Sequence, residues 1–231
     1  MAGPLSLVQG RLSSRAAMIL IPIRDEIISR RRAWITLTLI AANLAVFAIQ
    51  WMERTPELVG TFGFVPALAS PGEIPRLFGS MFLHGGILHL ASNLVYLWVF
   101  GNNVEDVLGR GRFLGLYLVS GLGGHAAHWL TNLGSMVPTI GASGAISGLL
   151  AAYVIRFPRA RIQSLLFLFV FLRWVRLPAA FVIGYWLLIQ LVNGAANLGG
   201  AGGNGGGVAW FEHLGGFLTG ALVFLWLGRD K

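Results

Sequence analysis

Gly141-Ala142-Ser143-Gly144-Ala145-Ile146-Ser147-Gly148 is a run of eight residues almost without side chains, heading an uncharged apolar segment that continues to Ile155. Its glycines, Gly141, Gly144 and Gly148, recur at i, i+3 and i+7, and His213, Gly216 and Gly220 repeat that spacing near the other end of the chain. In water such glycine faces are poor helix material. In lipid, apolar side chains gain little by burying against each other, and small-residue faces let two helix backbones approach closely. The two stretches therefore read as a tight helix pair in a membrane, with Ser143 and His213 near the same end.

The composition agrees. Of 231 residues, 55% are hydrophobic and 11% charged, and the mean hydropathy is +0.71; a soluble domain carries about 25% charged residues. The net charge of +8 does not point to nucleic acid, because the basic residues fall in the connections between apolar runs instead of forming a polar face or motif. With no cysteine, neither a disulfide framework nor thiolate chemistry is open to the chain. The short apolar run from Ala16 to Ile23 is followed by Arg24, Asp25 and Glu26 without a small-residue cleavage site, and reads as a cytosolic amphipathic lead-in and not a cleaved signal.

Working outward from the opening stretch, six apolar segments emerge: Ala33 to Met52, Phe82 to Phe100, Phe113 to Leu130, Pro138 to Ile155, Leu177 or Ala179 to Val192, and Val208 to Leu227. Twenty residues at about 1.5 Å each are just enough for a hydrocarbon core of roughly 30 Å. The expected fold is an all-α polytopic bundle of six transmembrane helices. Residues 1–32 form a basic amino-terminal segment, 33–228 the membrane domain and 229–231 a tail. Residues 53–80, with four prolines, read as a long ordered loop. Ser164 to Leu172 is too short to cross and reads as interfacial. Residues 194–207, almost all Gly, Ala and Asn, read as a flexible loop permitting the fifth span to move. Six spans with both termini cytoplasmic leave 15 of the 17 Lys and Arg residues inside and only Arg54 and Arg76 outside, as the positive-inside rule requires. The second, fourth and sixth spans then run in parallel from outside to inside.

That parallel arrangement gathers polar groups. Ser143 and His213 each lie five residues into their spans, roughly 7 Å below the outer end; His89 and Asn93, at i and i+4, share a face of the second span. A serine hydroxyl becomes a useful nucleophile when a base within hydrogen-bond reach removes its proton, and a neutral imidazole is the usual base. Ser143 and His213 can supply that dyad. Attack on a peptide carbonyl creates an oxyanion that needs preorganised donors, which His89, Asn93 and the Ser143 N–H can provide. No carboxylate completes a triad: Glu212 is adjacent to His213, neighbours on a helix diverge, and Glu212 reads as a rim residue. His125 and His128, without a cysteine or an inward acid, have too few ligand partners for a metal and read as interfacial residues beside Trp129. Ser92, Ser120 and Ser147 read as packing residues.

In these residues the chain resembles the rhomboid family of intramembrane serine proteases, in its bacterial six-span form. Gly141-Ala142-Ser143-Gly144 is similar to the family's GxSG motif, His213 with Gly216 and Gly220 to its HxxGxxxG helix, His89 to Asn93 to its HxxxN, and Glu105 to Gly109 to an acidic turn. The resemblance implies Ser143 as nucleophile, His213 as base, His89 and Asn93 as oxyanion or substrate-carbonyl donors, and His84 as a structural histidine. The chain departs from the family at Pro75-Arg76, where Trp-Arg is usual, and at Ser147, where some members place a tyrosine that packs on the base. The expected activity is cleavage of transmembrane helices near the outer face of a bacterial cytoplasmic membrane, without metal or cofactor. Its partners would be transmembrane protein substrates and the bilayer, with no role for nucleic acid. A helix-binding member that does not cut is the alternative, one that loss of Ser143 or His213 would have marked.

Overall fold

The computed structural model describes residues 18–53, 56–168, 171–198 and 209–227. The basic segment before Met18, Arg54, most of the glycine-rich stretch and the tail at 228–231 lie outside the described residues. Among the described residues there are six long helices: α1 (Trp34–Glu53), α4 (Ile87–Leu108), α5 (Arg110–Thr131), α6 (Ser143–Arg156), α7 (Ala179–Leu198) and α8 (Trp210–Leu227), with the short helices α2 (Pro56–Phe62) and α3 (Ile74–Gly79) between the first two. Three of them, α1, α7 and α8, are long and apolar enough to cross a membrane unaided. The pair Ile74–Phe82 and Ile87–Leu108, bent by 91°, brings the number to four when taken together as one span.

α6 occupies the centre. Every residue from Gly144 to Tyr153 is buried, and 14 residues reach only about 21 Å at 1.5 Å per residue. A helix shorter than the hydrocarbon core is tolerated when protein surrounds it. The sequence boundary at Pro138 is therefore corrected: residues 138–142 lie outside the helix, Thr139 bridging to Phe64 and Ala142 turning into α6, which begins at Ser143. Their backbone groups are paired within the protein, with mutual bonds between Thr139 and Phe64 (2.7 and 3.1 Å) and a bond from Gly141 N–H to the Ser80 carbonyl (2.8 Å). α7 runs on to Leu198, so residues 194–198, expected in a loop, are helical.

The all-α expectation is corrected as well. A three-stranded antiparallel sheet, β1 (Ile19–Asp25), β2 (Arg161–Leu168) and β3 (Phe171–Pro178), lies in the order β1-β2-β3. Thus the amino-terminal lead-in and the supposed interfacial run pair with each other, Ile21 opposite Leu165 and Asp25 opposite Ile162. Branched and aromatic residues alternating with polar ones suit a half-buried strand, and β1 alternates exposed and buried positions through its first five residues. The sheet packs at the end of the bundle marked by Asn103 and Tyr153. Asp25 there accepts hydrogen bonds from the Tyr153 hydroxyl (2.6 Å) and the Asn103 amide. Burial nevertheless outweighs those bonds and pushes the Asp25 carboxyl above its ordinary range.

Glu105 ties this end to α1. Its carboxylate accepts from the N–H of Ile35 (3.0 Å) and Thr36 (2.8 Å) and from the Thr36 hydroxyl (2.8 Å). These are donors left unpaired by the first turn of a helix, so Glu105 caps α1 from a distance of 70 residues along the chain. The next turn, into α5, passes through Gly109 at φ +77°, a left-handed conformation that a side chain would strain.

Candidate active site

Backbone contact fixes how α6 and α8 lie. A Cβ on Gly216 would overlap the Gly144 carbonyl, and one on Gly220 would overlap the backbone of Gly148. Numbers rise together across these contacts, so the helices are parallel. α5 fits between them in the opposite sense, Gly124 against Gly144 and Ser120 against Gly148. The pairs Gly141 with His89 and Phe100 with Tyr153 make α4 parallel to α6. Three helices thus bring their amino-terminal ends to one end of the bundle: α4 with His89, α6 with Ser143, α8 with His213.

Ser143 is the first residue of α6, half-buried, with Ala142 at the cap. First-turn N–H groups have no partner inside a helix and carry the positive end of its dipole. Gly141, at φ +126°, turns the chain into this helix. A side chain there would be strained, and its Cβ would sit 2.7 Å from His89 Nε2 and 3.7 Å from Asn93 Nδ2. Gly141 is therefore corrected from the α8 seam to a contact with α4: it lies outside α6 and lets two side-chain donors close on the serine's turn. The Gly85 N–H donates to His89 Nδ1 (3.3 Å), so the neutral ring carries its proton on Nε2, the atom facing Gly141. Asn93 Nδ2 is buried and has no hydrogen-bond partner. A buried, unpaired amide is costly, and this one lies beside Gly141, two residues before Ser143.

His213, 9% exposed, is held from a helix to which the sequence assigned no function. Its Nδ1 lies 2.7 Å from Gln190 Oε1 on α7. Trp186 on α7 lies across the ring at 5.8 Å and 34°, and Trp210 meets it edge-on at 6.4 Å and 87°. Sequence reading passed over Gln190, although a lone amide in the run Trp186-Leu187-Leu188-Ile189-Gln190-Leu191 was the available signal: a polar side chain in an apolar helix needs a partner.

The Rhomboid domain family matches residues 71–230, more than half of the chain. The chain belongs to the rhomboid family. It is similar to the mitochondrial rhomboid protein 1 of Saccharomyces cerevisiae, 30% identical over 195 residues, covering 83% of this chain and 52% of that protein. It is 33% identical over 172 residues to the human presenilin-associated rhomboid-like protein, mitochondrial, covering 71% of this chain and 44% of that one. With the rhomboid protease GluP of Bacillus subtilis it shares 42% identity over 99 residues, 43% of this chain and 19% of the relative. The chain spans about half the length of the first two relatives and less of the third. Family and apolar helices together make it a membrane protein.

At the position where the family resemblance implies a structural histidine, His84 is buried. Its backbone is clamped by Gln50 of α1, which accepts from His84 N–H (3.0 Å) and donates to its carbonyl (3.3 Å), and its ring meets His89 edge-on at 5.1 Å. Ser147 bonds back to the Ser143 carbonyl (2.6 Å) and brings no aromatic to His213; the tryptophans of α7 and α8 fill that place. Arg76 pairs with Glu73 at 3.0 Å.

Two expectations are overturned here. Glu212 is 1% exposed: Gly124 and Gly144 make room for it, and its Oε1 lies 3.6 Å from His125 Nδ1. The 100° step of a helix turns it away from His213 and into the core, away from the rim. His125, also 1% exposed, is not interfacial. Its Nε2 lies 3.0 Å from Ser80 Oγ and 2.9 Å from the Leu77 carbonyl, fastening the segment before α4 to α5.

Proposed function

We propose that this rhomboid is an intramembrane serine endopeptidase that cleaves transmembrane helices near the outer face of a bacterial cytoplasmic membrane. Six spans with both termini cytoplasmic complete this reading, supported by the charge distribution and by three parallel helices whose starts share one end. The observation that carries it is the glycine seam of α6 and α8, which leaves Ser143 and His213 at neighbouring helix starts while an unpaired Asn93 amide and the His89 Nε2–H face the same turn.

In the proposed reaction the Ser143 oxygen attacks the scissile carbonyl as His213 Nε2 takes its proton. The oxyanion is held by Asn93, His89 and the Ser143 N–H, and His213 then gives the proton to the leaving amine. Water hydrolyses the acyl-enzyme, with His213 again as base. Because Ser143 opens α6 and is half-buried, water has only to reach the start of a short central helix. A peptide bond must leave its own helix before the serine can reach its carbonyl, so substrates with easily unwound segments are favoured.

The test is cleavage of a fluorogenic transmembrane substrate in liposomes. Ser143→Ala and His213→Ala are each expected to abolish turnover while the protein stays folded. Turnover by both variants at the wild-type rate refutes the mechanism, and a fluorophosphonate adduct elsewhere than on Ser143 refutes the nucleophile.

A further inference from the structure

We infer that Gln190 is a positioning residue for the proposed Ser143–His213 dyad, setting the tautomer and the plane of the His213 ring from α7. The inference rests on the protease reading above. An amide can face an imidazole with either end, and here its orientation is fixed: Gln190 Nε2 donates to the Trp186 carbonyl one turn earlier (3.1 Å), which leaves Oε1 toward His213 Nδ1 at 2.7 Å. A carbonyl oxygen only accepts, so Nδ1 carries the ring proton. The lone pair of a neutral ring is then on Nε2, the nitrogen a base must present to Ser143.

Gln190 is 4% exposed and His213 9%, so water does not compete for this bond. Rotation of the ring out of the bond is opposed by Trp186 on its face and Trp210 at its edge. When Nε2 accepts the serine proton the ring becomes a cation, and its Nδ1–H, which never leaves, points at the negative end of an amide dipole. That bond strengthens as charge develops, which is what a rate-enhancing contact must do. The one carboxylate beside the base in sequence, Glu212, packs over Gly144 with its Oε1 3.6 Å from His125 Nδ1, on the other side of α8, so the amide holds the third position that a carboxylate takes in a triad.

Two near-isosteric variants of the full chain, reconstituted with the fluorogenic substrate, separate positioning from packing. Gln190→Met keeps shape and apolar contact but has no acceptor; kcat is expected to fall about 10- to 100-fold, the worth of a hydrogen bond to a group that becomes charged, with KM and the unfolding midpoint little changed. Gln190→Glu restores an acceptor and is expected to recover most of the lost kcat. A residue that only packs gives the opposite order, Met tolerated and Glu impaired, and that order overturns the inference. The tautomer is read without turnover by 15N spectra of histidine-labelled wild-type protein: a protonated Nδ1 on His213 is expected, and a protonated Nε2 overturns the assignment whatever the variants do. Ser143→Ala keeps the two readings apart. Turnover by that variant refutes the protease mechanism, whereas an inactive Ser143→Ala beside a fully active Gln190→Met refutes the role of Gln190 alone.

Discussion

The seam between α6 and α8 and the flank formed by α7 are built by opposite rules, though both meet at His213. Along the seam, glycine stands against glycine, and no atom can be added to Gly216 or Gly220 without striking the backbone of α6. α7 presents large side chains, with Phe181, Leu188, Leu191 and Val192 exposed by half or more, and a groove of about 380 Å³ opens between it, α4 and β1, lined by Tyr96, Tyr185 and Trp186. Backbone contact fixes depth and direction but cannot orient a ring; long side chains can. His213 thus takes its position from a rigid neighbour and its orientation from a looser one.

The sharpest way to break this contrast is Gly216→Leu, which drives a branched side chain into the Gly144 carbonyl. Overpacking of a filled interior costs about 1–3 kcal/mol and more when backbone must move, so loss of the folded state in detergent thermal unfolding is expected. Next in size is Asn93→Ala, which leaves the seam intact: kcat is expected to fall by about 10²-fold or more, the typical worth of one oxyanion donor, with an unchanged unfolding midpoint. Glu105→Ala removes acceptors from the start of α1 at the far end of the bundle and is expected to cost about 1–2 kcal/mol, seen as a lower midpoint with normal kcat in the surviving folded fraction. On the flank, Gly184→Ala adds its Cβ to open space, so a gain of about 0.5–1 kcal/mol from helix propensity is expected, against the loss the same change at Gly216 would bring. If Gly216→Ala proves as harmless as Gly184→Ala, the seam is not close-packed and the contrast fails.

The smallest effect belongs to the sheet. Burial raises the Asp25 carboxyl above its ordinary range in the folded protein, so the folded state holds that proton more tightly than the unfolded one. The associated stability is fully present below the ordinary aspartate range and is lost as pH rises through the raised value. Wild type is therefore expected to lose slightly more stability than Asp25→Asn between acidic and neutral pH, measured as the difference in their unfolding midpoints across that range.

Much of the candidate site was legible because its signals are local or periodic. Ser143, His213, His89 and Asn93 lie in short patterns whose spacing alone puts them on helix faces, and apolar length alone located six long helices, though α4 runs to Leu108 where the apolar segment ends at Phe100, and α7 to Leu198 where it ends at Val192. The depth argument placed the helix starts too early, at Pro138 and Val208, because apolarity does not tell a non-helical segment hydrogen-bonded to Phe64 and Ser80 from a turn of helix. Glu212 read as a rim residue because a sequence shows its neighbour in the chain and not Gly124 and Gly144, the glycines that admit it.

By itself, then, the sequence determined the membrane class, the helix pairing and the four polar residues at one end of the bundle, since lipid length, glycine periodicity and charge bias each act over a single segment. Only the tertiary structure decided that β1 pairs with β2, from Asp25 opposite Ile162 to Ile19 opposite Phe167, and that Tyr153 reaches Asp25, 128 positions away. It alone decided that Glu105 caps α1 and that Gln190 faces His213. Each of those contacts joins groups whose partners lie far along the chain. A polar atom in an apolar interior has to find a partner, but which partner it finds is settled by how the helices cross.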